Sequence, residues 1–153
     1  MTDEIYPLEK DIATIDGIIK AFYEVVSGDA GEKRQWERDI SIHNPKAVYA
    51  YLDNVNGELQ QVTMSLQDFH KRTDEMVMET DFYETEIYRE VRLFGNIAHV
   101  WSTYETRLIK NGPVARRGIN SIQLFFDKGK WSIISLIFER ERNEIIPKTF
   151  QPN

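Results

Sequence analysis

The chain contains no cysteine. That removes disulfides, thiol nucleophiles and thiolate metal sites together. No run of apolar residues approaches the roughly 18 needed to span a bilayer. Basic charge is also in short supply, with 19 Lys and Arg against 25 Asp and Glu and a net charge of -6. This balance argues against a general nucleic-acid binder or a protein that binds anionic membranes. The N-terminal stretch MTDEIYPLEKD is acidic and lacks the basic and apolar regions of a signal peptide, so a cytoplasmic protein is expected. Only three histidines occur, at 43, 70 and 99. No HExxH or His-x-His pattern accompanies them, and neither a metal nor another cofactor is expected. GDAG (28–31) lacks the lysine and the preceding strand of a phosphate loop. GxSxG is absent too, which gives no support to a hydrolase nucleophile elbow. There is no internal repeat, low-complexity tract or linker.

What is there fits one domain over 1–153, because 153 residues with 41% hydrophobic side chains can bury a real core. Residues 12–26 predict a helix: Ile12, Ile15, Ile18, Ile19, Phe22, Val25 and Val26 fall on one stripe. SGDAG breaks it, with Gly28 suited to a C-terminal cap. A shorter helix is expected over 32–43, with Trp36 and Ile40 one turn apart, stopped by Pro45. AVYAYL (47–52) and QQVTM (60–64) predict short strands around the turn DNVNGE. Ser65 opens a third helix through the capping pattern SLQD, with Leu66, Phe69, Met76 and Val77 on one side. The period then changes. Residues 82–93, 97–109, 116–127 and 130–140 read as four long strands joined by turns at Gly95-Asn96, Gly112-Pro113 and Lys128-Gly129. The segment 143–153 has little periodicity and reads as a loop or a partly ordered arm. Helices first and a strand meander after them predict an α+β fold, with helices on one face of a strongly curved antiparallel sheet.

Strand alternation then divides the residues between two faces. In WSIISLIFE, Trp131, Ile133 and Ile137 point one way, and Ile134, Leu136 and Phe138 the other. Helices can cover only one such face, and a large exposed apolar patch is rare on a monomer. A homodimer through the outer sheet face is the expected solution; the C-terminal tail folding back is the alternative. In FGNIAHVWSTYETR (94–107), Ala98, Val100, Ser102, Tyr104 and Thr106 form the smaller face and are assigned to the concave side. Ile97, His99, Trp101, Thr103, Glu105 and Arg107 mix bulk and charge, as interfaces do, with His99 and Trp101 at the centre.

The candidate catalytic pair is Asp39 and His43. Four residues apart on one helix, they share a face, and a carboxylate can orient an imidazole for acid–base work. A histidine serving only the helix dipole is the plain alternative. The candidate ligand-binding residues are Trp36, Ser102, Tyr104 and Asn120. Tyr104 and Asn120 are uncharged polar residues in mixed or apolar strand runs, and they need partners, ordered water or a ligand. Trp36 reads first as core, with a pocket wall as the alternative. His70 is expected to be solvated. The charged strand residues Glu84, Glu86, Glu90, Glu105, Arg89, Arg92, Arg107, Arg116, Arg117, Glu139 and Arg140 read mostly as sheet rim.

The blocks SGDAGEKRQWERDISIHNPKA (27–47), FYETEIYREVRLFGNIAHVWSTYETR (82–107), RGINSIQLFFDKGKWSIISLIFERE (117–141) and IIP (145–147), taken in order, resemble the nuclear-transport-factor-2-like superfamily and its SnoaL-like bacterial branch. The resemblance implies a cone-shaped fold, a conical pocket between helices and concave sheet, and frequent dimerisation through the other face. It does not imply one activity, since this fold hosts isomerases, dehydratases, cyclases, ligand binders and interaction modules. The ketosteroid-isomerase-like members carry a carboxylate base on the strand after the second helix. Here that strand offers Tyr49, Ala50 and Tyr51. Their second acid has Asn120, Ser121 and Gln123 in its region. The dehydratase-like members use a His pair with Tyr and Asp. The expected function is therefore a dimeric domain binding a small apolar molecule. The alternatives are a lyase or isomerase working by acid–base chemistry on a small hydrophobic substrate, and a non-catalytic protein-interaction module.

Overall fold

The computed structural model describes residues 4–153, so the first three residues of the acidic N-terminal stretch lie outside it. The described elements are α1 (Glu9–Ile12), α2 (Ile15–Val26), α3 (Trp36–Ser41), β1 (His43–Val55), β2 (Glu58–Ser65), α4 (Leu66–Val77), β3 (Tyr83–Phe94), β4 (Ile97–Arg107), β5 (Arg116–Asp127) and β6 (Lys130–Arg140), followed by a 3-10 turn at Lys148–Phe150. The fold is α+β. One six-stranded sheet runs in the order β2-β1-β6-β5-β4-β3. It is antiparallel except where β1 lies parallel to β6. A parallel pair needs a long crossover, and here α4 and the strands β3 to β5 supply it. No described helix is long and apolar enough to cross a membrane.

The predicted helix over 12–26 begins at Ile15, and a separate short helix, α1, precedes it. Thr14 takes an extended conformation and its Oγ1 accepts from the Gly17 amide at 2.9 Å, which ends α1 and caps α2. Ser65 caps α4 as SLQD predicts, accepting from the Asp68 amide at 3.2 Å. The second helix is shorter than 32–43. The Arg34 side chain donates to the carbonyls of Val26, Gly28, Asp29 and Glu32, which fixes the preceding residues as a loop. Gly28 is no left-handed cap. It bridges to Phe82, and a Cβ there would meet Arg34 Nη1 at 2.8 Å. Ile40 is exposed, and α3 instead turns Arg38 inward, where Nε and Nη2 grip the two oxygens of Asp11 at 2.8 and 2.9 Å.

The core lies between α2 and the concave sheet face. Ile18, Ile19 and Tyr23 of α2 meet Val100, Ile122, Leu124, Ile133 and Leu136. The alternation expected for β6 fails at one point. A bulge between Gln123 and Leu124 shifts the register against β6, so Ile133 and Leu136 both enter the core although they stand three residues apart. Only Ile137 remains as a large exposed apolar residue on the outer face of this strand. The outer face of β6 is therefore less apolar than its alternation suggests.

The tail is ordered against the outer face of the sheet. Thr103 Oγ1 donates to the Phe150 carbonyl at 2.6 Å, and the Phe150 ring lies 5.6 Å from that of Trp101. Ile146 is buried, and its amide donates to Glu141 at 2.9 Å.

Candidate functional site

Directly paired strand residues share a face, so the register lays out the concave wall in rows. Glu84, Thr106 and Arg116 form the outermost. Glu86, Tyr104, Gly118 and Arg140 come next, then Arg89, Ser102, Asn120 and Phe138. Val91, Val100, Ile122, Leu136 and Tyr49 follow. The wall is charged in its outer rows and apolar farther in. Gly118 is required where it stands, because a Cβ would meet the Tyr104 hydroxyl at 2.3 Å. Its bareness lets the Tyr104 ring lie flat along the wall.

Against this wall α2, α3 and α4 enclose a cavity of about 240 Å³. Phe22, Tyr51, Phe69 and Phe138 give it an apolar body, while Asp39, Glu84, Tyr104, Arg116, Asn120 and Arg140 bring polar groups to it. Burial pushes the Glu84 carboxyl up to about 7; Asn120, Arg116 and Arg140 pull the other way without cancelling it. Burial and the nearby Glu84 raise the Tyr104 hydroxyl above its ordinary range. Burial lowers the Arg116 guanidinium, and the charge of Arg140 adds to the effect.

Of the residues singled out in the sequence, Trp36, Asp39, Tyr104 and Asn120 line the cavity. His43 and Ser102 do not. His43 opens β1 rather than ending a helix, and both its ring nitrogens are taken. Nδ1 lies 2.7 Å from the Asp39 carbonyl and Nε2 lies 2.7 Å from the Tyr49 hydroxyl. A carbonyl only accepts, so Nδ1 donates; in the neutral ring Nε2 then accepts from Tyr49. Tyr49 thus stands between His43 and the cavity. Ser102 is covered by Tyr23 of α2. Asn120 Nδ2 donates to the Tyr23 hydroxyl at 3.0 Å, Tyr23 meets Ser102 Oγ at 2.6 Å, and Ser102 donates to Glu86. Arg89 Nη2 holds Glu86 at 2.7 Å, so the chain of polar contacts is closed within the protein.

His70 is buried, not solvated. Its Nε2 lies 2.6 Å from Asp39 Oδ2, and its ring stacks on Trp36 at 4.1 Å. Trp36 Nε1 donates to Asp74 at 2.9 Å. Two histidines therefore converge on Asp39, one at its backbone and one at its side chain. His43 Nδ1 also lies 3.4 Å from the buried Asp39 Oδ1, which takes no hydrogen bond. His99 and Trp101 lie on the outer face, with His99 Nε2 2.9 Å from Ser121 Oγ. No group of three or more His, Cys, Asp or Glu among the described residues could hold a metal ion.

The sequence reading passed over Glu84, Arg116 and Arg140 as rim charges. Arg116 shares its phase with Gly118 and Asn120, and Arg140 with Phe138, so alternation alone could have placed both inside. Glu84 could not be found that way. A bulge between Glu86 and Tyr88 reverses the phase of β3 beyond it. Counted back from the Gly95-Asn96 turn without that bulge, Glu84 points outward.

No protein-family model matches the chain, and no curated protein does. Solved structures do. An NTF2-like protein of unknown function from Silicibacter pomeroyi aligns at 17% identity over 83% of this chain and 92% of its own, with a TM-score of 0.59. A cystatin-like-fold protein of unknown function from Nostoc punctiforme aligns at 11% identity over 84% and 90%, with a TM-score of 0.64. A proposed ketosteroid isomerase from Parabacteroides distasonis aligns at 12% identity over 88% and 98%, with a TM-score of 0.59. The chain has the NTF2-like, cystatin-like cone fold, and at these identities the likeness extends to the fold alone.

Proposed function

We propose that this chain is a SnoaL-like domain that binds a small, mostly apolar organic molecule in its cone cavity. The observation that carries this is the cavity of about 240 Å³, with an aromatic body of Phe22, Tyr51, Phe69 and Phe138 and polar groups from Glu84, Tyr104, Arg116, Asn120 and Arg140. A panel of aromatic compounds bearing hydroxyl or amide groups tests it by thermal shift. Some should raise the wild-type Tm and leave Thr73→Phe, which fills the cavity from α4, unmoved. No response across the panel, or the same response in the filled variant, would contradict the reading.

Acid–base catalysis is the second reading, and Glu84 favours it. A carboxyl held at about 7 beside Tyr104 in a cavity is poised to exchange a proton near neutral pH. Glu84, not His43, is then the base, with Tyr104 a donor to developing negative charge. Glu84→Gln should abolish turnover of any substrate found while leaving the fold intact; a fully active variant removes Glu84 from the mechanism.

A homodimer through the outer sheet face belongs to the same proposal, in a cytoplasmic setting. Phe94, Ile97 and Phe125 form an exposed row across β3, β4 and β5, and Ile137 is exposed beyond Ser121 in the Trp101 row.

A further inference from the structure

Arg116 and Arg140 reach the cavity from neighbouring strands. Arg140 pairs with Gly118, which makes Arg116 its diagonal neighbour on the same face. Diagonal positions stand about 7–8 Å apart, within the span of two long side chains. Other arginines are matched: Arg38 with Asp11, Arg72 with Asp53, Arg89 with Glu86, Arg107 with Glu105. Among the described residues neither Arg116 nor Arg140 forms an ion pair, and the polar contact of Arg116 is the Met76 sulfur at 3.9 Å, a weak acceptor. In a chain with six more acids than bases (25 against 19), two adjacent, partly buried and unpaired guanidinium groups stand out. The carboxyl on the same wall, Glu84, does not come within ion-pairing distance. Its ionisation is also delayed to about pH 7 by burial, so it neutralises the pair poorly.

We infer that the ligand of this cavity is a small monocarboxylic acid whose carboxylate sits between Arg116 and Arg140 and whose apolar body lies among Phe22, Phe69 and Phe138. The inference rests on the cavity being a ligand site. Guanidinium groups suit a planar carboxylate, which takes paired N–H donors. A phosphate dianion is disfavoured, because no glycine-rich loop offers it backbone amides.

The test compares 3-phenylpropanoate with its neutral isostere 3-phenylpropanamide by titration calorimetry near neutral pH. The wild type should bind the acid at least about tenfold more tightly, the value of a charge-assisted contact. Arg116→Gln and Arg140→Gln should each erase most of that preference. Arg140→Lys, which keeps the charge, should retain part of it. Equal binding of acid and amide by the wild type would overturn the carboxylate site and leave the cavity reading standing. Binding of neither would overturn both. A preference that survives both glutamine variants, or tighter binding of phenyl phosphate than of the acid, would also overturn the assignment.

Discussion

Glu84 shares its cross-strand row with Thr106 and Arg116, and its carboxyl titrates at about 7 against an ordinary 4.5. The raised value means that the unfolded chain releases this proton first. Stability from the group is therefore fully present below about 4.5 and is lost as pH rises through 7. The gap between those values bounds the loss at roughly 3 kcal/mol. Glu84→Gln, a neutral isostere, should match the wild type in denaturant unfolding near pH 4.5 and exceed it above pH 7. Equal stability across that range would show that Glu84 ionises without penalty. At this scale Tyr104 and Asn120 were legible, because polar residues in apolar strand runs ask for a partner. Ser102 lies on the concave face as expected, but its partner, Tyr23, comes from α2, 79 residues away in sequence. His70 was misassigned because its partner, Asp39, is 31 residues away.

Elements were more legible than residues. Caps at Ser65, hairpin turns and the 2.0 and 3.6 periods located most helices and strands, because those signals are local. The two bulges were not legible. Each inserts one residue without any compositional mark, and each reverses which face follows it. The tail at 143–153 was ambiguous for a similar reason: its order depends on Phe150 finding Trp101. Phe150→Ala should remove that contact and cost about 1–2 kcal/mol in denaturant unfolding, less than a core truncation because Phe150 is only partly buried. An unchanged stability would mean the tail does not hold the outer face.

The whole molecule leaves apolar side chains exposed on the face that its helices do not reach. Phe150 shields Trp101, but Phe94, Ile97, Phe125 and Ile137 remain 43–84% exposed. A two-fold dimer through this face would bury on the order of 1,600 Å² and bring each patch against its own copy. Light scattering should give twice the mass of one chain at micromolar concentration, and Ile137→Glu should halve it, since an uncompensated buried charge costs several kcal/mol. A monomeric wild type would mean that the tail suffices to cover the sheet. The cone itself was visible from the order of helices and strands. Its cavity was visible only in outline, since the walls come from α2, α3, α4 and five strands that no local pattern relates.

The central claim is that this cavity is built for a small organic acid. A crystal structure of the protein grown with 3-phenylpropanoate tests it most directly. The account predicts the phenyl ring among Phe22, Phe69 and Phe138, with the carboxylate within hydrogen-bond distance of both Arg116 and Arg140. A cavity holding only water, or the acid bound elsewhere on the molecule, would contradict it.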